Sequence, residues 1–161
     1  GVNLGLDLTH SGTVAAALEG ASLGIPSIAF SLDTSGEELD FTEAARWAVR
    51  IARLVAEEGL PKGVLLNVNF PPGKPKGVMV TRLSTHRYED TVVERLDPEG
   101  RPYYWIAGTP VGEEEEGTDL FAVRRGYISL TPVSLDFTAY GVLEGLAAWR
   151  GRLEADLHPL L

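Results

Sequence analysis

Apolar residues change their period along the chain, and the changes mark its elements. Residues 10–24 carry an Ala-rich run, Val14-Ala15-Ala16-Ala17-Leu18, that predicts a helix ended by Gly24 and Pro26. Ser27-Ile28-Ala29-Phe30-Ser31 reads as a short buried strand, and Asp33 to Leu39 as a polar loop. A second helix is predicted from about Phe41 to Glu58, closed by Gly59 and Pro61. Its core-facing stripe is expected at Ala45, Ala48, Val49, Ala52 and Val55, spaced by three and four. Val64-Leu65-Leu66-Asn67-Val68-Asn69-Phe70 is the next strand, stopped by Pro71-Pro72. Strands alternating with helices predict an α/β fold: a mostly parallel sheet with helices on both faces.

The second half of the pattern is different. Gly77 to Leu83 reads as a β-branched strand. Tyr88–Leu96 and Arg101–Ala107 flank the turn sequence Asp97-Pro98-Glu99-Gly100, which predicts a long β-hairpin. A hairpin alone is marginal in water, so Tyr88, Tyr103, Tyr104 and Trp105 need a surface to pack on. The four acidic residues Glu113–Glu116 read as a solvated loop leading into a helix, Thr118–Arg125. A strand, Tyr127–Val133, and a final helix from about Thr138 to Leu157 complete the prediction.

Composition narrows the function. A chain of 161 residues, 44% hydrophobic and 23% charged, holds one substantial core. A net charge of −9 argues against a nucleic-acid polymer or an anionic membrane as partner. It leaves a phosphate substrate open, because a metal and local dipoles dominate the field inside a site. With no cysteine there is no disulfide, thiolate metal site or cysteine nucleophile. No run reaches the length of a membrane span and no signal peptide is visible, so the expected location is the cytoplasm. The absence of Gln and Cys, with one Met and three Asn, is a thermophile tendency.

The candidate chemistry lies in the first thirteen residues. Ser11-Gly12-Thr13 opens the Ala-rich helix, where first-turn N–H groups lack intrahelical partners and the dipole is positive. Gly12 permits close approach of a ligand, and the Ser11 and Thr13 hydroxyls can donate to phosphate oxygens. Asn3 offers a neutral oxygen of the kind hard divalent cations accept, and Asp7 is a second-layer partner for such an ion. The plainer reading gives Ser11 only the role of helix N-cap. His10 has two readings as well, general acid or packing residue. His86 and His158 are expected at the surface, and Arg124 and Arg125 at a helix end rather than as phosphate clamps. Asn67 and Asn69 are expected to bind loop backbone rather than substrate.

These residues also carry a resemblance. Gly1-Val2-Asn3-Leu4-Gly5-Leu6-Asp7, His10-Ser11-Gly12-Thr13-Val14-Ala15-Ala16-Ala17-Leu18-Glu19-Gly20 and Gly24-Ile25-Pro26-Ser27-Ile28-Ala29-Phe30-Ser31 resemble the SurE family. So do Leu66–Pro71, Lys76–Arg82, Tyr103-Tyr104-Trp105 and Glu116–Pro132. The resemblance implies a Rossmann-like core with a β-hairpin extension and a C-terminal helix. It also implies a divalent cation, Mn2+ or Mg2+, and hydrolysis of nucleoside 5′-monophosphates, and leaves polyphosphate open as a further substrate. On it, residues 1–83 form the C-terminal part of the catalytic core, 84–112 an oligomerisation arm, and 113–161 the segment completing core and subunit contacts. The partner is then a second copy, as homodimer or tetramer. Family members begin with an Asn-Asp-Asp-Gly loop that supplies the main metal ligands, and no such motif is in this sequence. The 161 residues are therefore expected to be a portion of a longer protein, catalytically incompetent alone. Asn3 is the metal-ligand candidate, with two possible alignments at Leu4-Gly5. The competing function is a nucleotide- or anion-binding module without catalysis. A dinucleotide-dependent oxidoreductase ranks lower, because no Gly-x-Gly-x-x-Gly follows a strand.

Overall fold

A computed structural model describes residues 1–35, 40–85, 87–111 and 113–155. A 3-10 turn, Gly5–His10, leads through Ser11 into helix α1, Gly12–Ser22. Strand β1 (Ile28–Leu32), helix α2 (Thr42–Glu58) and strand β2 (Val64–Phe70) follow. Next come β3 (Val78–Val80), the hairpin strands β4 (Arg87–Leu96) and β5 (Pro102–Val111), helix α3 (Asp119–Arg124) and strand β6 (Ile128–Ser134). A 3-10 turn at Tyr140–Val142 and two short helices, α4 (Leu143–Ala147) and α5 (Arg150–Ala155), come last.

The main sheet has the order β1-β2-β6-β3. Strands β1 and β2 are parallel, as are β3 and β6, and β2 meets β6 antiparallel. Successive side chains on a strand point to opposite faces, so Leu65 joins Ala29 and Val133 beneath Val14, Ala17 and Ala21 of α1. Val68, Phe70 and Ile128 face the other way, onto Ile51, Trp47 and Ala48 of α2, with the Phe30 and Phe70 rings stacked 5.9 Å apart. Helices thus cover both faces of a sheet in which parallel pairs dominate, as the alternation of patterns predicts.

Three expectations need correction. The stripe of α2 is rotated: Ala44, Trp47, Ala48, Ile51 and Val55 face inward, while Val49 is 51% exposed and Ala45 and Ala52 are also exposed. Trp47 and Ile51 bring far more apolar area than the alanines, and the helix turns to bury them. Strand β3 is only three residues long, and Val80 is 77% exposed. The single final helix is broken into three short pieces. Gly141, Gly145 and Gly151 each disfavour helix, and no core lies beneath to offset them. Phe137, Tyr140, Leu143, Leu146, Trp149 and Leu153 are all exposed.

The hairpin forms as predicted. Asp97 Oδ1 accepts the Glu99 and Arg101 N–H groups at 2.9 Å, and Gly100 takes φ 81° to close the turn. Tyr104, Trp105, Val92 and Leu96 stand exposed on it. Deep in the main sheet, Phe70→Ala is expected to cost about 3–5 kcal/mol of stability, read as a lowered midpoint in urea unfolding.

Candidate functional site

The sheet turns polar on its α1-facing side, toward the carboxyl ends of β1 and β2. Ser31, Asn67 and Asn69 come from those strands, Ser129 and Thr131 from β6, and Thr81 from just beyond β3; all are buried. Asn67 pairs in register with Thr131 and Asn69 with Ser129, so these side chains share one face. The hydroxyls of Thr81 and Thr131 satisfy each other at 2.7 Å. Buried polar groups require partners, and the first residues of the chain supply many of them.

Asn69 holds the backbone of Asn3 by both of its polar atoms. Its Oδ1 accepts the Asn3 N–H at 2.7 Å, and its Nδ2 donates to the Asn3 carbonyl at 3.2 Å. The same carbonyl accepts from Asn67 Nδ2 at 2.9 Å. Both asparagines therefore bind loop backbone, in agreement with the sequence reading. Asn3 in turn donates its side-chain Nδ2 to Ser31 Oγ, and its Oδ1 has no hydrogen-bond partner among the described residues. Asn67 Oδ1 and Ser129 Oγ are buried and also lack one.

From Asn3 the chain passes Leu4, packed on Leu120 and Val123 of α3, and enters the 3-10 turn at Gly5, φ 52°. Leu8 anchors that turn in the core with Val14. Ser11 is extended (φ −84°, ψ 118°) and its Oγ accepts the Val14 N–H at 3.1 Å, so it is the N-cap of α1. Its hydroxyl proton is not used in that bond. Gly12 and Thr13 occupy the exposed first turn, where N–H groups have no carbonyl one turn earlier. The fold does not demand glycine at position 12. Its φ is not positive, and a Cβ built there would meet no heavy atom within 4 Å.

Asn3 and the Ser11-Gly12-Thr13 segment thus stand at the two ends of one 3-10 turn, with Asp7 half-buried within it and His10 exposed at its end. Because α1 runs into β1, the N-terminus of α1 and the carboxyl end of β1 lie at the same edge of the sheet. That edge is where open α/β sheets bind ligands. Arg124 and Arg125 stand apart from it, pairing with Glu114 at 3.8 and 2.8 Å, and Glu115 pairs with Arg82. All four residues of the acidic block are exposed, as expected, and two of them, Glu114 and Glu115, also pair with surface arginines. His86 and His158 lie outside the described residues.

Sequence reasoning passed over Asp119, which is fully buried. Its Oδ2 accepts the Gly5 N–H at 2.8 Å, and its Oδ1 accepts those of Ser84 at 2.9 Å and Leu120 at 2.8 Å. Thr-Asp at a helix start reads locally as a cap, and no local pattern reveals a partner 114 residues away.

A parallel-dominated sheet with helices on both faces defines an α/β class of fold, Rossmann-like in its layering. Within that class the chain belongs to the SurE family: residues 1–90 match the family described as survival protein SurE. It is 83% identical over 147 residues to a Thermus thermophilus protein named 5′-nucleotidase SurE 1, covering 91% of this chain and 59% of that one. It is 52% identical over 163 residues to the 5′-nucleotidase SurE of Deinococcus radiodurans, covering 99% of this chain and 58% of the relative. The crystal structure of the SurE protein from Aquifex aeolicus superposes with a TM-score of 0.76 at 45% identity, over 93% of this chain and 62% of that one. The chain therefore spans somewhat less than two thirds of the length of the curated relatives it matches.

Asn69→Ala strips the Asn3 N–H of its acceptor and is expected to cost about 1–3 kcal/mol. Ser11→Ala, removing one cap, is expected to cost about 1 kcal/mol. Urea unfolding of the two variants measures both losses.

Proposed function

We propose that the protein is a divalent-metal-dependent phosphomonoesterase that hydrolyses nucleoside 5′-monophosphates, with polyphosphate left open as a further substrate. The structural observation that carries this reading is the open N-terminus of α1, where Gly12 leaves room that the fold does not use. The 83% identity to a protein named 5′-nucleotidase SurE 1 supports the same chemistry. The N–H groups of Gly12 and Thr13 and the hydroxyls of Ser11 and Thr13 hold the phosphate oxygens, stabilising charge as it develops on them. Ser11 does this while capping the helix, because its Oγ accepts from Val14 and its proton remains free to donate.

Asn3 Oδ1 suits a hard cation, Mn2+ or Mg2+, being a neutral oxygen without a hydrogen-bond partner among the described residues and oriented by the Nδ2 bond to Ser31. Such an ion, when bound, polarises the phosphoryl group and lowers the pKa of a coordinated water. Among the described residues no group of three or more His, Cys, Asp or Glu side chains is placed to hold it. Asn3 would then be one ligand of several, completed by carboxylates of the kind found in the Asn-Asp-Asp-Gly loop of the family. In this reading Asp7, half-buried in the 3-10 turn, is an outer carboxylate of the metal site, and His10 is a proton donor at the exposed end of the turn. The competing reading, a nucleotide- or anion-binding module without catalysis, uses the same Ser11-Gly12-Thr13 segment without metal chemistry.

The same proposal divides the chain into core residues 1–83, an assembly arm at 84–112 and a closing segment at 113–161. It takes a second copy as partner, in a homodimer or tetramer formed through the hairpin and C-terminal segment. A cytoplasmic location, with neither a nucleic-acid polymer nor a membrane as partner, goes with it. No helix among the described residues is long and apolar enough to cross a membrane.

In the full-length protein, strong chelation is expected to abolish phosphatase activity and Mn2+ or Mg2+ to restore it; full activity in chelator overturns the metal reading. Thr13→Ala is expected to lower kcat about a hundredfold with the fold intact, since one preorganised donor is lost. Replacing residues 86–107 by a short Gly-Ser bridge is expected to reduce the oligomer to a smaller species in light scattering. An unchanged mass would show that the hairpin is not the assembly element.

A further inference from the structure

We propose that Asp119 is a positioning residue for the anion-binding loop, a buried carboxylate that fixes the entrance of the 3-10 turn to the root of the hairpin. The inference rests on the phosphatase reading above for its kinetic consequence, but not for its structural one.

Asp119 does more than helix capping requires. Thr118 already caps α3, its Oγ1 accepting the Phe121 N–H at 3.3 Å. The Asp119 carboxylate reaches beyond α3, to Gly5 by Oδ2 and to Ser84 by Oδ1, at 2.8 and 2.9 Å. Its own N–H donates to the Arg82 carbonyl at 2.9 Å, and the Arg82 N–H donates to Gly117 at 3.0 Å. Residues 82–84 and 117–119 are thus laced together, and Gly5 is tied to both. An isolated buried carboxylate is costly; here three charge-assisted bonds from backbone N–H groups compensate it, and no Lys or Arg among the described residues pairs with it.

The bond to Gly5 acts where the chain changes direction. Gly5 is left-handed, and the six-residue turn that begins there delivers Ser11, Gly12 and Thr13 to the head of α1. Ser84 stands three residues before β4, so the same carboxylate registers the hairpin root against the loop. Asparagine cannot substitute. Both carboxylate oxygens accept N–H groups, so an amide would turn its –NH2 toward a donor and lose at least one bond.

The test uses Asp119→Asn in the full-length protein, with Asp119→Glu as a second variant should the first not fold. Ile51→Ala, which loosens the opposite face of the sheet, is the control for general destabilisation. In the Asp119 variant, hydrogen exchange is expected to accelerate selectively over residues 3–13 and around Ser84. For a nucleoside monophosphate, kcat should fall about tenfold or more while KM moves less than about threefold, as a displaced loop predicts. Ile51→Ala should lower Tm without either change. Exchange that rises evenly across the sheet, or a kcat within about twofold of the unaltered protein, overturns the proposal. If the unaltered protein hydrolyses no nucleoside monophosphate, the functional reading fails, and the exchange pattern alone still decides the role of Asp119.

Discussion

Burial of polar side chains at the carboxyl end of the sheet is the constraint from which the site follows. An unpartnered buried donor or acceptor costs about 1–3 kcal/mol, and Asn67, Asn69, Ser129 and Thr131 are all essentially inaccessible. Thr131 is satisfied by the Thr81 hydroxyl, Asn67 Oδ1 and Ser129 Oγ find no partner among the described residues, and the remaining demand of the two asparagines is met by the backbone of residue 3. The Asn69 carboxamide engages the Asn3 N–H and C=O much as a neighbouring peptide group would, and Asn67 adds a second donor to the carbonyl. The path of the chain into the 3-10 turn is thereby set by strand β2. Hydrophobic packing alone, through Leu4 and Leu8, would fix its depth but not its register.

Much of this was legible in the sequence because it is local or periodic. The Ala-rich run before Gly24, the strand at 64–70 and the Asp97–Gly100 turn each announce themselves within a few residues, and the structure places them there. Asn67 and Asn69 were legible too, since polar residues alternating with apolar ones on a buried strand must find backbone partners. What failed was whatever depended on tertiary competition. The α2 stripe was misplaced because small alanines and the large Trp47 and Ile51 count equally in a periodicity, whereas burial weighs area. The last helix was overextended because apolar spacing at 138–157 is helical, yet three glycines and the lack of an underlying core outweigh it. Asp119 was invisible as a long-range tie because its partners, Gly5 and Ser84, contribute only backbone.

The exposed apolar residues follow the same physics. Helices of five or six residues are not stable in water on their own, and α4, α5 and the turn between them carry Leu143, Leu146, Trp149 and Leu153 outward. The hairpin does the same with Trp105, Tyr104, Val92 and Leu96. On the hairpin Val92, Leu96 and Tyr104 share one face while Trp105, opposite Val93, lies on the other, and exposed apolar residues in such number have the composition of covered surface. The hairpin is inserted between β3 and β6, and α4 and α5 follow β6; neither set contributes a residue to the described core clusters.

The hairpin root and the loop are nonetheless not independent. Ser84 and Gly5 share one carboxylate, and residues 82–84 pair with 117–119, so the arm leaves the core at the point where the loop is anchored. A site built on a loop is less well defined than one built on a strand or helix unless its supporting shell is rigid. Here the shell is made of strand asparagines on one side and a buried aspartate on the other. Each holds backbone rather than side chain, which leaves Ser11, Gly12 and Thr13 free of structural duties except the single cap from Ser11 to Val14. That division of labour is what allows a helix N-terminus to remain open at the surface while the chain leading to it is fixed at both ends.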